Sequence, residues 1–275
     1  MSEQKPVVIE ANPWTELRQF TDARIALGRV GSSLPTDEVL KFGLAHAMAR
    51  DAVHAALDPT SLDASLASLG LPTVWVRSRA PDRASYLLRP DLGRSIAPDA
   101  EPSLRDHRGP FDIALVLADG LSAVAVQAHG APLLQALLPQ LQALLPQLHP
   151  AWRVAPLVIA TQARVALGDD IGEALGARLV VMLIGERPGL SSPDSLGAYL
   201  TFNPRRGRSD AERNCVSNIR PAGLPYPEAA RKLGWLINEA LLRQLTGVEL
   251  KDDSDVAMVA SPATPELLVS PAAEG

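Results

Sequence analysis

Three apolar runs of this sequence end in short segments of polar residues and glycine. ADGLS begins at Ala118, TQARVALG begins at residue 161 and GERPGLSSPDS begins at Gly185. In an open α/β sheet, ligands bind beyond the carboxyl ends of the strands, at the crevice where the strand order reverses. We therefore expect these three segments to line a ligand site, although each of them alone is equally typical of an ordinary turn.

The side chains in and near these segments leave alternatives open. Glu186 directly follows a run that is typical of a central strand. Its carboxylate could accept hydrogen bonds from ribose hydroxyls or amide N–H groups, or simply pair with Arg187 or another of the chain's many arginines. Cys215 begins an apolar pentad, which is typical of a small buried hydrophobic residue. The glycines at 168, 172 and 176 predict close helix packing or close approach of a ligand.

Several other kinds of site are excluded by spacing. The sequence has neither G-x-G-x-x-G after a strand nor G-x-x-x-x-G-K-[ST], so neither a dinucleotide fingerprint nor a phosphate-binding loop of that type is present. The histidines show no zinc-binding spacing, and with a single cysteine no zinc site is predicted. The arginine-rich segment 204–213 is typical of a solvated surface, and less often of a phosphate or subunit contact.

Composition limits the class of protein. The 275 residues are 47% hydrophobic but only 4% aromatic, so the core must be aliphatic. The net charge of −5 is concentrated in residues 251–275, and the nearly neutral remainder argues against a nucleic-acid partner. One cysteine is typical of a reducing cytosol, and no apolar stretch reaches the roughly 18 residues of a membrane span. We expect a cytoplasmic protein without a membrane partner.

The elements that position the three segments follow from hydrophobic periodicity. Strands are predicted at 73–78, 111–119, 154–161, 177–186, 198–202 and 215–219. Helices are predicted from Trp14 to Leu27, from an N-cap at Thr36 to about residue 58, through the leucine-rich stretch 131–150 with an interruption at Pro146, from Asp169, and over 227–247 with Gly247 past the end. YLLRPDLGR is interpreted as an extended segment.

This alternation predicts an α/β fold with a Rossmann-like, mostly parallel sheet covered by helices. Three regions are predicted: a mainly helical and irregular N-terminal region 1–108, a ligand-binding domain 109–250, and a disordered acidic tail 251–275. Pattern alone gives no sharper function than ligand binding.

Five stretches, over roughly residues 14–247, occur in an order that is known from one protein family. They are LRQFTDARIALGRVGSSLPTDEVLKFGLAHAMARDAVH, YLLRPDLGR, VLADGLSAVAVQ, ARVALGDDIGEALGARLVVMLIGERPGL and AERNCVSNIRPAGLPYPEAA. In these stretches, which include the three segments above, the sequence resembles the small (light) subunit of adenosylcobalamin-dependent ethanolamine ammonia-lyase. The combination of GERPGL with a later NCVSNI is more specific than any general feature of doubly wound folds.

The resemblance implies that this chain is one part of an enzyme. The large subunit of the family holds ethanolamine, the small subunit helps to bind adenosylcobalamin (coenzyme B12, a cobalt corrinoid) at the interface between them, and the hetero-oligomer produces acetaldehyde and ammonia by radical chemistry. Carried over by position, the cofactor contacts of this subunit fall on Val165, Glu186 and Cys215. The resemblance implies no catalytic residue and no protein metal ligand on this chain, which should be inactive alone.

Family members often reside in a bacterial microcompartment, to which an N-terminal amphipathic helix directs them. Segment 1–13 is too short and too interrupted by proline to form such a helix, so we do not expect this targeting helix here. Two other functions stay open: a nucleotide-dependent oxidoreductase on a doubly wound sheet, which should show a glycine fingerprint, and a subunit that only supports a catalytic partner.

Overall fold

A six-stranded sheet forms the centre of the protein in a computed structural model, which describes residues 9–148 and 151–255. The strand order is β1-β3-β2-β4-β5-β6. The strands are β1 (Thr73–Arg77), β2 (Ile113–Ala118), β3 (Leu157–Thr161), β4 (Leu179–Gly185), β5 (Leu196–Phe202) and β6 (Asn214–Ile219). The first four strands of this order run parallel. β5 pairs with β4 in the antiparallel direction, and β6 pairs with β5 in the same way. The predicted mostly parallel α/β sheet is confirmed.

The two central strands owe their position to continuous apolar sequence. Every residue of β2 and of β4 is buried. A strand can be apolar on both faces only when helices cover both of them, which is the usual arrangement of parallel sheets.

Helices lie on both faces of the sheet. Their bounds are α1 (Thr36–His54), α2 (Pro59–Leu66), α3 (Arg83–Leu88), α4 (Glu101–Asp106), α5 (Ala123–Leu148), α6 (Leu167–Leu175) and α7 (Tyr226–Arg243). The helices α2, α5 and α7 pack into one apolar cluster on the first face, and α4 and α6 pack into another on the second face. Because β2 connects through α5 to β3, and β3 through α6 to β4 on the opposite side of β2, the chain reverses its direction across the sheet next to β2.

Several boundaries differ from the sequence prediction. The predicted helix 14–27 is wrong: only a 3-10 helix, Thr15–Phe20, forms there, and none of its side chains is buried to hold a longer helix in place. α1 does begin at Thr36, but Pro35 occupies the N-cap position. It ends at His54, and Asp58 instead caps α2 by accepting from the N–H groups of residues 60 and 61.

Three further expectations are corrected. YLLRPDLGR is not extended, because the Asp82 side chain accepts from the Ser85 N–H at 2.7 Å and starts α3, and a 3-10 turn follows at Leu92–Arg94. Pro146 does not interrupt α5, which continues to Leu148. α7 ends at Arg243, with Gln244 in the left-handed conformation that Gly247 was expected to supply.

The acidic tail is described only at its beginning. Ser254 is buried, and Asp255 forms ion pairs with Arg231 and Lys232 of α7, so residues 251–255 pack on that helix. Residues 256–275, for which disorder was predicted, lie outside the described residues. The proposed boundary near residue 108 stays a prediction, and β1, which precedes it, pairs with β3 in the central sheet. Within the described part of the chain, no helix is long and apolar enough to cross a bilayer.

Candidate functional site

The exits of β2, β3 and β4 meet at one edge of the sheet and surround an open cavity of about 460 Å³. Parallel strands place their carboxyl ends on the same side, so the three segments that the sequence singles out converge there. The cavity is lined by Tyr86, Gly120, Leu121, Arg164, Val165, Ile184, Gly185, Glu186, Arg187 and Tyr199. Val165 and Glu186 therefore share one site, as expected from their positions after two strands.

Two glycines bring the exits of β2 and β4 into backbone contact. Gly120 has a φ of +54°, and a Cβ atom there would collide with the carbonyl oxygen of Gly185. A Cβ atom on Gly185 would in turn collide with the carbonyl oxygen of Ser122. The Leu121 N–H donates to the Gly185 carbonyl at 2.9 Å. The floor of the cavity is therefore main chain from two strand exits.

Asp119 joins the exits of β2 and β3. Its buried carboxylate accepts from the backbone N–H of Gln162 at 2.8 Å and of Ala163 at 3.0 Å. Burial raises the pKa of Asp119, whereas these two donors and the Arg83 guanidinium, 3.7 Å away, act in the opposite direction. This carboxylate fixes the conformation of the β3 exit on which Arg164 and Val165 lie.

Tyr86 forms one wall of the cavity between two guanidinium groups. Arg83 lies 4.7 Å and Arg164 lies 4.2 Å from the centre of its ring, both within the range of cation–π attraction. The Tyr86 hydroxyl donates to the Ala163 carbonyl at 3.0 Å, and burial raises the pKa of Tyr86 to about 12. Sequence reasoning missed this group. The signal that could have found it is the Asp82 helix cap, which places residues 83 and 86 on neighbouring turns of α3.

Neither guanidinium is fully hydrogen-bonded by the part of the chain that the structure describes. Arg83 donates to the carbonyl oxygens of Val53 at 2.7 Å and Gly120 at 2.8 Å, and Arg164 donates to the Tyr86 carbonyl at 3.2 Å. The buried Nη2 of Arg83 and Nε of Arg164 have no partner among the described residues. Each guanidinium therefore has one buried nitrogen without a partner in the described residues, close to the Tyr86 ring.

Glu186 is held by the antiparallel edge of the sheet. Its carboxylate accepts from the hydroxyl of Ser195, from the hydroxyl of Ser217 at 2.7 Å and from the backbone N–H of Asn218 at 3.1 Å. These partners are hydroxyl and amide groups, so the alternative of a pair with Arg187 is wrong. A carboxylate offers about four acceptor sites. The interactions leave room for a ligand donor while they fix the direction of the group.

The loop that follows Glu186 is attached to the helices behind it. His129 of α5, which is buried, contacts Asp194 through Nε2 at 3.2 Å and the Tyr226 hydroxyl through Nδ1 at 2.8 Å. Arg220 donates to Asp194 at 3.4 Å, and the Ser122 hydroxyl donates to the carbonyl of Pro193 at 2.9 Å. The β4 exit is therefore braced on several sides.

Cys215 does not line the cavity. It lies on the edge strand β6, directly opposite Tyr199 of β5, which does line it. The side chain is exposed, so its interpretation as a small buried hydrophobic residue is wrong. One strand, β5, separates Cys215 from β4, which leads to Glu186, and three strands separate it from β3, which leads to Val165.

The remaining candidate features have structural partners. Arg213 forms a bidentate ion pair with Asp169 of α6, at 2.6 and 2.7 Å, and both side chains are buried. Segment 204–213 is therefore not simply a solvated surface. Gly172 of α6 faces Pro204 so closely that a Cβ atom would collide with it, which supports the packing interpretation of these glycines.

A larger cavity of about 660 Å³ lies elsewhere, between α4, α6 and segment 204–213. Four of the charged groups that line it form ion pairs with one another, Glu101 with Arg105 and Asp170 with Arg206. Arg108 donates to the carbonyl of Glu173, and the Glu173 carboxylate accepts from the backbone N–H of Arg206. It lies away from the three strand exits, and we place the candidate site at the smaller cavity. No group of three His, Cys, Asp or Glu side chains suited to a metal ion occurs in residues 9–148 and 151–255.

Together these features define a helix-covered α/β domain with a cavity built from three strand exits. A family model described as "Ethanolamine ammonia-lyase light chain (EutC)" matches residues 11–251. The chain belongs to this family, which confirms the resemblance seen in the sequence. It is 54% identical over 261 residues to the ethanolamine ammonia-lyase small subunit of Azotobacter vinelandii, which covers 94% of each chain.

Two further relatives carry the same description. The ethanolamine ammonia-lyase small subunit of Xanthomonas campestris pv. campestris is 52% identical over 274 residues, covering 97% of this chain and 98% of the relative. That of Pseudomonas fluorescens strain Pf-5 is 51% identical over 257 residues, covering 92% of each chain. The match therefore extends over nearly the whole length of all three relatives.

Proposed function

We propose that this chain is the small subunit of an ethanolamine ammonia-lyase and that it binds adenosylcobalamin at the interface with the large subunit. The single observation that supports this best is the convergence of the β2, β3 and β4 exits on one open cavity that contains Val165 and Glu186. Membership of the light-chain family supports a larger partner subunit, and the resemblance described above implies adenosylcobalamin as the ligand.

The groups at this cavity fit a corrinoid. Such a cofactor presents amide N–H groups and ribose hydroxyls as donors and a phosphate as an anion. Glu186 is an acceptor of fixed direction, and Arg187 is an exposed cation on the same rim. The cavity of about 460 Å³ is too small and too open to enclose a group of that size. The chain would therefore cover one side of the cofactor, and a partner would cover the other.

Each predicted site residue has a separate role in this proposal. Glu186 accepts hydrogen bonds from corrin amides or from ribose. Val165 contributes main-chain polar groups and an apolar wall, and Cys215 provides a small contact on the neighbouring edge strand. Burial raises the pKa of Tyr86 to about 12, so its hydroxyl stays protonated at neutral pH and donates the hydrogen bond that holds the β3 exit in position.

The cofactor supplies the radical chemistry when bound, and this chain's residues bind and orient it and exclude water. We propose no catalytic residue on this chain, which should be inactive without the large subunit in the hetero-oligomer. The nucleotide-dependent oxidoreductase alternative gains no support from the cavity, because its paired glycines do not form a dinucleotide fingerprint. Residence in the cytoplasm or in a microcompartment stays a prediction.

The test compares Glu186→Gln with the wild-type chain, each co-expressed with the large subunit. The dissociation constant of the complex for adenosylcobalamin, measured by absorbance titration, should rise about tenfold or more, since a hydrogen bond to a charged acceptor is lost. Glu228→Gln, at an exposed position on α7, is the matched control and should bind normally. An unchanged dissociation constant for Glu186→Gln would reject the role of this carboxylate.

Two further measurements separate the alternatives. NAD in place of adenosylcobalamin should produce no binding signal, and a saturable NAD signal would favour the oxidoreductase. Ethanolamine turnover should require both subunits, so turnover by the purified chain alone would overturn the proposed division between subunits.

A further inference from the structure

The first helix of the protein is apolar on its exposed surface. Only Glu38 and Ala52 of α1 are buried. Six large apolar side chains on α1 and just before it are each about half exposed or more. We call this set the α1 face: Leu34, Val39, Leu40, Phe42, Leu44 and Met48. When apolar residues are distributed around the axis of a helix, other surfaces usually cover the helix on more than one side.

The α1 face is large enough for a stable interface. An ion pair between Arg18 and Glu38 connects α1 to the 3-10 helix that precedes it. Together with the exposed Trp14, Leu17 and Phe20 of that region, the side chains of the α1 face present on the order of 1,000 Å² of surface, against the roughly 300–600 Å² of the largest apolar patch on a typical monomer. A stable interface buries about 800 Å² on each partner. In proteins, most of the stability of a helix comes from packing of its apolar side chains against another surface.

Both ends of segment 24–53, which carries the α1 face, contact groups at the candidate site. Arg83, which stacks on the cavity wall at Tyr86, donates to the carbonyl of Val53 in the last turn of α1. Arg24, in the segment before α1, donates to the carbonyl of Leu190 in the loop after β4, at 3.3 Å. A protein that covers the open side of the cavity would therefore lie close to both ends of the segment that runs from Arg24 to Val53.

We propose that the α1 face is a docking surface for the large subunit of the lyase. This inference rests on the proposed function, which supplies a partner that must cover the cavity. The contact would be mainly apolar, because Lys41 already pairs with Asp37 and Glu38 within the helix, at 3.0 and 2.9 Å. A partner surface of exposed leucine, valine and aromatic side chains matches this chemistry.

The experiment uses the double variant Leu40→Glu/Leu44→Glu, co-expressed with the large subunit. Two carboxylates in an apolar contact should weaken the complex about 100-fold or more, measured as the dissociation constant between subunits. Leu242→Glu is the matched control, since Leu242 is a similarly exposed leucine on α7. Its dissociation constant should equal that of the wild type. Circular dichroism of each purified chain should show unchanged helix content, since these side chains are solvated in the free chain.

The outcomes distinguish the inference from the proposed function. If the wild-type pair forms a complex and the double variant binds as tightly, the surface is assigned wrongly although the function stands. If the wild-type pair forms no complex, the proposed function fails and the inference fails with it. If the chain alone is a dimer that the double variant dissociates, while binding of the large subunit is unaffected, the occupant is a second copy and the proposal is overturned. If the double variant loses helix content, the milder Leu44→Ala decides, with an expected weakening of about tenfold.

Discussion

The central sheet and helix α1 are both rich in apolar side chains, but they bury them to different extents. Every residue of β2 and of β4 is buried, whereas two residues of α1 are. Helices cover both faces of the sheet, whereas Val39, Leu40 and Leu44 of α1 are each half exposed or more. Apolar content therefore does not by itself indicate a core, since the outcome depends on whether the same chain supplies a covering surface.

Ion pairs differ between the two regions in the same way. Arg213 and Asp169, which join α6 to the segment before β6, are both 2% exposed at the side chain. Arg18, which pairs with Glu38 of α1, is 38% exposed. The first pair is desolvated, and the Arg18 side chain of the second pair is still partly hydrated.

The largest expected effect comes from breaking the buried pair. Arg213→Ala leaves Asp169 buried without its partner, so the free energy of unfolding should fall by about 3–5 kcal/mol. Arg18→Ala should change it by about 1 kcal/mol or less, because Glu38 keeps its contact with Lys41 and the pair is partly solvated. Urea denaturation of the purified full chain measures both. Equal losses would show that the two regions do not differ in this respect.

A truncation in each region sharpens the comparison of packing. Leu183→Ala, at a fully buried position of β4, should lower the free energy of unfolding by about 2–5 kcal/mol, because it removes buried methyl groups and leaves a cavity. Leu44→Ala, at an exposed position of α1, should change it by about 0.5 kcal/mol or less in the free chain. A large loss at Leu44 in the free chain would mean that α1 is already packed there.

The smallest effect is a pH dependence of stability at Tyr86. This residue lies under Arg83, which donates to the carbonyl of Val53 in α1. Its folded-state pKa of about 12 is above the ordinary value of 10, so the fold favours the neutral phenol. Its contribution to stability should be complete below pH 10 and should be lost as the pH rises toward 12, by about 2–3 kcal/mol. Tyr86→Phe should flatten this alkaline decline in a pH series of denaturation curves. An equally steep decline in that variant would exclude Tyr86 as its source.

Much of the sheet could be predicted because its strands carry their signal locally. The runs that became β2 and β4 are continuously apolar and end in glycine or acid, which is enough to identify buried strands and the edge where their exits meet. The same reasoning failed at residues 14–27, because helical periodicity has no effect where no surface of the chain packs against it. It failed at YLLRPDLGR because the Asp82 cap outweighed the proline and the glycine.

The candidate site, like the sheet, could be predicted only where its signal is local in the sequence. The exits that carry Val165 and Glu186 follow from strand positions, and the structure brings both residues to one cavity. The stack of Tyr86 with Arg164 could not be predicted, because Tyr86 contacts Ala163 and Arg164, which are separated from it by 77 and 78 positions in the sequence. The partners of Glu186 on β6 depend on an antiparallel pairing that no local pattern specifies.

The backbone contact between Gly120 and Gly185 has a consequence for redesign of the cavity. Since neither position tolerates a side chain, altered ligand preference cannot be engineered through the floor, by mutation or by selection from a library. Variation has to enter through the rim, at Leu121, Val165 and Arg187, whose side chains border the opening. A library restricted to those three positions would keep the strand exits in register while it samples different shapes and charges around whatever molecule occupies the opening.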